Sequence, residues 1–331
     1  MAAGEGHLEI CNLLLDRGAD PDPVADGGVT PLILAGLSGH VDVIKLLISK
    51  GVNIDACVTR AYPGSTLLCL VSLMGQEHAL DVAKVLLQNR CDANAATHDG
   101  DTPLSNAIKS DNLPLAGLLL ENNANPNMQS AEEGQWPLHH AVIKGNPAMV
   151  RLLLEHGADP RGTMTRLLTP LHLAALLDNE NALELVKLLL DSKDIDLNAQ
   201  ADTGDTALML AVQEQRKDVV EALLEAGVDP ELATTNDITP LERAITTSNI
   251  EIFDLLIKHG ANPRRVDQRG ISILHLAAIH NDVAVLERVL KEGLDLDLKT
   301  HGESNVTALQ LAIAFSNNDI ALRLLDHGAQ P

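Results

Sequence analysis

The stretch WPLHHAVIKGNPAMVRLLLEHGADP, Trp136 to Pro160, holds two short helices and the stop that follows them. Pro137 suits the first turn of a helix, because its φ is preset and its missing amide would have had no partner there. Apolar residues at helical spacing then build one helix, and the run Leu152 to Leu154 closes a second. Gly157 follows where the chain needs a left-handed stop. The polar Ala158-Asp159-Pro160 beyond it reads as the start of an exposed turn. Trp136 occupies the N-cap, a position that favours a side-chain oxygen to accept the free amides of the first turn. An indole cannot do this, so the local cost is about 1 kcal/mol.

The same pattern recurs along the whole chain. It opens as TPLILAG at 30, STLLCLV at 65, TPLSNAI at 102, WPLHHAV at 136 and TPLHLAA at 169. It continues as TALMLAV at 206, TPLERAI at 239, SILHLAA at 272 and TALQLAI at 307, with intervals of 33 to 37 residues. Thr or Ser stands at most openings, and Gly18, Gly51, Gly157, Gly227, Gly260, Gly293 and Gly328 follow the second apolar segments. Self-similarity at this period is the mark of a repeat architecture.

Composition agrees. The 331 residues are 45% apolar but only 1% aromatic, so the core is built of Leu, Ala, Val and Ile in thin repeated layers. No apolar run reaches the roughly 18 residues of a membrane span, and no basic-then-apolar signal segment opens the chain. A cytoplasmic or nuclear, reduced setting is expected. Cys11, Cys57, Cys69 and Cys91 form neither a C-x-x-C pair nor a zinc-ligand cluster, so free thiols and no metal are expected. Forty-six acidic against twenty-four basic residues give a formal charge of −22. Such a surface repels nucleic acid and anionic lipid, and basic protein segments are its more natural partners.

T-P-L-H-x-A at a spacing near 33 resembles the ankyrin-repeat family, with His139, His172 and His275 completing the motif. The resemblance covers residues 1–331 as nine units after a partial one at 1–29. It implies an all-α ankyrin-repeat solenoid of stacked helix-turn-helix units with protruding β-hairpin or turn connections. Ile33, Leu68, Ser105, Met209, Glu242 and Gln310 replace the motif histidine, and Arg90 replaces a stop glycine. Uneven stability is therefore expected, with the repeat at 65–100 among the weaker ones. Neither MAAGEGHLEICNLLL nor IALRLLDHGAQP resembles a polar cap. The expectation is a segment of a longer protein, the alternative an array with an imperfect cap.

No nucleophile elbow, phosphate loop or dinucleotide fingerprint occurs, so neither catalysis nor a cofactor is expected. The adjacent His139 and His140 invite a metal site, but the resemblance makes His139 a turn-ordering residue. What remains is binding. The resemblance implies that hairpin tips and first-helix ends line a concave groove. The residues placed there include Leu37 and Ser38, Ser72 and Leu73, Lys109 and Ser110, Ile143 and Lys144, and Leu176 and Leu177. Their apolar members concentrate before residue 180 and mark either a partner site or contacts tucked between units. Arg161 and Arg166, then Arg264, Arg265 and Arg269, interrupt mostly acidic tips, either docking an acidic stretch or relieving repulsion.

Trp136 has two readings. It is a recognition residue beside Glu132, Glu133 and Gln135, or its ring fills a gap beside the connection RGTMTRLL. Tyr62 is a second aromatic candidate. The expected partner site comprises Tyr62, Leu73, Glu132, Glu133, Trp136, Ile143, Lys144, Arg166, Leu176 and Leu177. LLQNRCDAN and LDSKDIDLN also resemble contexts in which ankyrin asparagines are hydroxylated, pointing to Asn94 and Asn198; the alternative is that both only order their turns. The function expected is a scaffold or adaptor gripping a protein or peptide around residues 62–180. The alternative is a substrate-recruiting or autoregulatory arm of a larger enzyme, whose partner is its substrate or another domain of its own parent chain. A standalone regulator acting by occlusion is the third reading.

Overall fold

A threonine hydroxyl opens most units. Thr30 Oγ1 accepts from the Ile33 amide at 3.3 Å, Thr102 Oγ1 from Ser105 at 3.1 Å, and Thr206 Oγ1 from Met209 at 3.2 Å. Each satisfies one of the free amides at a helix start, and Pro31, Pro103, Pro137, Pro170 and Pro240 each fix the entry of a first helix. The computed structural model describes residues 1–74, 77–130, 134–301 and 305–331.

The chain divides into two compact units, residues 1–165 and 166–331. The first holds α1 (Leu8–Asp16) and four helix pairs. These are α2 (Pro31–Leu37) with α3 (Val41–Ser49), α4 (Leu67–Met74) with α5 (Ala79–Gln88), α6 (Pro103–Lys109) with α7 (Leu113–Glu121), and α8 (Pro137–Ile143) with α9 (Pro147–Glu155). The second holds five pairs: α10 (Pro170–Leu176) and α11 (Ala182–Leu190), α12 (Ala207–Gln213) and α13 (Lys217–Glu225), α14 (Pro240–Thr246) and α15 (Ile250–Lys258), α16 (Ile273–His280) and α17 (Val283–Leu290), α18 (Ala308–Ala314) and α19 (Asn318–Asp326). Within each unit, first helices pack on first helices and second on second, as the expected all-α solenoid requires.

The core is the set of thin layers that the composition implies. Leu32, Ile33, Leu104, Ile108, Leu138, Leu208 and Leu241 from first helices, with Ile44, Leu119, Leu153, Leu223 and Leu256 from second helices, are almost fully buried. A helix of seven residues cannot stand alone, so each depends on its neighbours for the burial that stabilises it.

The hairpins are minimal. Among the described residues the strand pairing amounts to isolated antiparallel bridges, Cys57 with Thr66, Val266 with Ser272 and Lys299 with Thr307. Neighbouring tips are joined instead by single backbone bonds, such as Thr59 N to Gly27 O at 2.8 Å and Thr235 N to Thr203 O at 2.9 Å. This close approach explains Gly204: a β-carbon there would lie 2.6 Å from the Thr235 amide, and its φ is +78°.

One assignment of the sequence changes. The unit opening at STLLCLV takes Thr66, not Ser65, as its cap, because Thr66 Oγ1 accepts from Cys69 N at 3.3 Å. Cys69, not Leu68, therefore occupies the motif-histidine position. The first-helix end shifts with it, from Ser72 and Leu73 to Leu73 and Met74. Ser72 is fully buried and bonds Leu68 O.

Candidate protein-interaction surface

Helix periodicity fixes which side chains face out. The third residue after the cap is buried: His139, His172 and His275 are all 0–1% exposed. In the complete case, Thr169 N donates to His172 Nδ1 at 3.2 Å, leaving Nε2 as the donor to Asp205 O of the next unit at 3.1 Å. Burial holds this imidazole below its ordinary pKa, so it stays neutral and keeps the donor–acceptor pair. One side chain thus closes its own turn and latches the neighbouring repeat.

The seventh and eighth residues after the cap end the first helix and face out. In the first unit these positions and their neighbours expose apolar surface: Leu34 is 36% exposed, Met74 41% and Ile143 46%. Leu73 is half-buried and Lys144 exposed. Tyr62 is 47% exposed on its connection. Packing of α2 on α4, α4 on α6 and α6 on α8 sets these positions along one side of the unit. In the second unit, Arg166 is exposed with φ 65°, Leu176 is exposed at the end of α10, and Leu177 is its half-buried C-cap. Glu132 and Glu133 lie outside the described residues.

Trp136 makes no side-chain cap bond. Its backbone amide donates to His139 Nδ1 at 3.3 Å. Its ring lies on Gly162, where an added β-carbon would stand 2.8 Å from the indole. Gly162 belongs to the connection 161–168, so the half-buried ring is enclosed on that side. The indole Nε1 is buried without an acceptor among the described residues.

The fourth residue after the cap is where the units differ most, and it is a signal the motif-centred reading passed over. Six units place leucine there: Leu34, Leu70, Leu173, Leu210, Leu276 and Leu311. The other three place Asn106, His140 and Arg243. Each carries a buried polar atom with no partner among the described residues: Asn106 Oδ1, His140 Nε2 and Arg243 Nε. Asn106 is 3% exposed and uses only its Nδ2, which donates to Cys69 O at 3.2 Å. The pKa of His140 is pushed down to about 4, first by burial and then by the Lys109 ammonium. Lys109 is itself held by both Asp101 oxygens at 2.7 and 2.8 Å. The Asn106 and His140 helices are neighbours, so polar groups replace the leucines in the last two helix pairs of the first unit.

The basic tips are largely engaged within the protein. Arg161 pairs with Asp159 at 3.1 Å, Arg269 with Asp267 at 3.0 Å, and Arg264 donates to Glu292 O at 3.3 Å. Arg265 bonds the Asp237 carboxylate and reaches Glu242 Oε1 at 3.2 Å. Glu242 stands where other units have histidine. Its Oε2 accepts from Thr239 N at 2.7 Å, so one carboxylate does the work of both ring nitrogens, with Arg265 as the neighbour's donor. Burial nevertheless pushes its pKa up.

Asn94 and Asn198 both bridge units. Asn94 Nδ2 donates to Asn123 O at 3.1 Å and its Oδ1 accepts from Asn125 N at 2.7 Å. Asn198 Oδ1 accepts from Asp229 N at 2.9 Å. Among the described residues, no His, Cys, Asp and Glu side chains gather to hold a metal ion, and no helix is long and apolar enough to cross a membrane.

Comparison with known proteins bears on this arrangement. The family described as ankyrin repeats (3 copies) matches residues 1–58, 68–164, 106–201, 171–267 and 241–331. The ankyrin repeat and KH domain-containing protein mask-1 of Caenorhabditis elegans is 26% identical over 259 residues, which are 76% of this chain and 9% of that protein. The E3 ubiquitin-protein ligase KEG of Arabidopsis thaliana is 28% identical over 255 residues, 74% of this chain and 15% of the ligase. The chain thus matches only a small part of either relative. The crystal structure of the ankyrin repeat domain of Bcl-3, a unique member of the IkappaB protein family, superposes with a TM-score of 0.61 at 32% identity. That match covers 68% of this chain and all of the Bcl-3 chain.

Proposed function

The chain belongs to the ankyrin-repeat family, a non-catalytic protein–protein interaction fold, and from that premise we propose that it binds a protein or peptide partner along the exposed side of the first helices of residues 1–165. The observation that carries the proposal is the row of exposed apolar side chains Leu34, Met74 and Ile143. Apolar groups grouped on one solvent-facing side favour a partner that covers them. Tyr62, Leu73 and Lys144 join them as proposed contacts, and Trp136, whose ring is committed to Gly162, supports the edge of the surface. Arg166, Leu176 and Leu177 are proposed contacts of the second unit. The formal charge of −22 favours partners with basic segments over nucleic acid or membrane.

A second reading is the recruiting arm of a larger enzyme, with the partner either a substrate or another domain of the parent chain. The match to an E3 ubiquitin-protein ligase over 74% of this chain favours it. Both readings place binding on the same surface.

Capture of interacting proteins from lysate by wild type and by the Met74→Asp/Ile143→Asp variant tests the surface. Leu322→Asp, in the exposed part of α19, serves as a control. The proposal expects proteins retained by wild type and the control to be lost from the double variant at unchanged melting temperature. An identical captured set from all three would contradict it.

A further inference from the structure

In a chain of strongly negative charge, one half-buried arginine has no acid beside it among the described residues. Arg243 is half-buried on α14, at a position that six other units fill with leucine. Among the described residues its guanidinium makes no ion pair, and its Nε is buried without an acceptor. An N–H withdrawn from water without an acceptor is unfavourable. A local rule broken without visible compensation points to a task outside the fold.

The carboxylates nearby are already taken. Asp237 and Glu242 are both held by Arg265. Asp267 is held by Arg269 at 3.0 Å, by the Ile271 amide at 2.7 Å and by the Arg269 amide at 2.9 Å. None is left to turn toward Arg243. Two openings of about 120 and about 480 Å³ lie here, and they share Asn236, Asp237, Asp267 and Arg269 in their walls. Arg243 lines the smaller, and Arg269, 72% exposed, stands at both.

We propose that this pocket, between the repeats opening at Thr239 and Ser272, receives an acidic side chain of a protein partner, with Arg243 as its anchor. The planar fork of arginine matches a carboxylate in two parallel hydrogen bonds. One unpaired guanidinium beside acids that are already neutralised suits a single negative charge, whereas a basic side chain would meet Arg243 unscreened. The overall negative charge does not forbid this, because it is screened beyond about 8 Å at physiological ionic strength. The inference rests on the interaction reading only in assigning the acid to a protein; the pocket itself is tested without any partner.

The test follows the Arg243 Nε–Hε resonance, assigned by its absence in Arg243→Leu, while N-acetyl-glutamate amide is titrated into the full chain. Arg243→Leu installs the residue other units carry here, and an unchanged melting temperature or a higher one shows that it folds. The expected result is a saturable shift of this resonance with the glutamate amide and little or none with N-acetyl-glutamine amide. Arg243→Lys, which keeps the charge but not the fork, should weaken the affinity several-fold, read from the backbone amide shifts of Asn236 and Asp237 in both proteins. No shift, an equal shift with the glutamine amide, or an equal shift with inorganic phosphate would each overturn the carboxylate pocket. An identical captured set from wild type and the Met74→Asp/Ile143→Asp variant, with this response intact, would overturn the interaction reading alone.

Discussion

Helices α6 and α8 of the first unit and α10 and α12 of the second are built on the same frame, yet their fourth positions are opposite in character. Asn106 and His140 stand in one pair, Leu173 and Leu210 in the other. In the leucine pair the side chain adds to the packing and leaves nothing unsatisfied. In the polar pair, an amide oxygen and an imidazole nitrogen are buried without partners among the described residues. Because the surrounding repeat is the same, the difference isolates what these residues are for. Apart from the Asn106 Nδ2 bond to Cys69 O, they give the stack less than leucine does, and they lie beside the apolar row proposed to meet a partner.

The largest effect should come from moving the polar character to where it is absent. Leu210→Asn is expected to lower stability by about 2–3 kcal/mol, read as a shift of the denaturation midpoint. If it is tolerated as well as Asn106 is, the comparison fails.

The reverse exchange should have the opposite sign. His140→Leu is expected to raise stability by about 1–2 kcal/mol at neutral pH. The folded pKa of His140, about 4, lies below its ordinary 6.5, so the unfolded chain takes up the proton first. Its contribution is therefore complete above pH 6.5 and is lost as pH falls toward 4. Stability against pH should be flatter over that window in His140→Leu than in wild type.

Arg90 sharpens the comparison between weak and strong repeats. It holds φ 63° at a stop that glycine fills in most other repeats, at φ 85° for Gly157. Arg90→Gly should gain about 1 kcal/mol, and Gly157→Ala should lose a similar amount; equal melting temperatures would show that the stop does not limit either repeat.

The smallest effect separates the two asparagines. Asn94 uses both its amide nitrogen and its oxygen to bridge units, Asn198 only its oxygen. Asn94→Ala should cost about 1 kcal/mol and Asn198→Ala about half of that; the reverse order in thermal melts would contradict the bridging geometry.

The frame was legible because it depends on local chemistry. A threonine cap, a proline in the first turn and a glycine stop act within a few residues, so the repeats could be counted from the chain alone. The unit at 65 was misplaced by one residue because Ser65 and Thr66 can both cap and no proline follows either. Only the bond from Cys69 N decides between them. The contact of Trp136 with Gly162 spans the whole intervening helix pair, so the sequence marked the connection without marking the residue. Asn106, His140 and Arg243 were within reach. They stand out only when the fourth positions are aligned, whereas the motif histidine marks the third. That position also concealed the latch of Glu242 with Arg265, since the arginine lies 23 residues further on.

The most direct test of the central claim is amide hydrogen exchange of the full chain, free and bound to a protein retained by wild type but not by the Met74→Asp/Ile143→Asp variant. The account expects added protection at the ends of α4, α6 and α8, around Met74, Lys109 and Ile143. Protection confined to the second helices α3, α5, α7 and α9, with these ends unchanged, would contradict it.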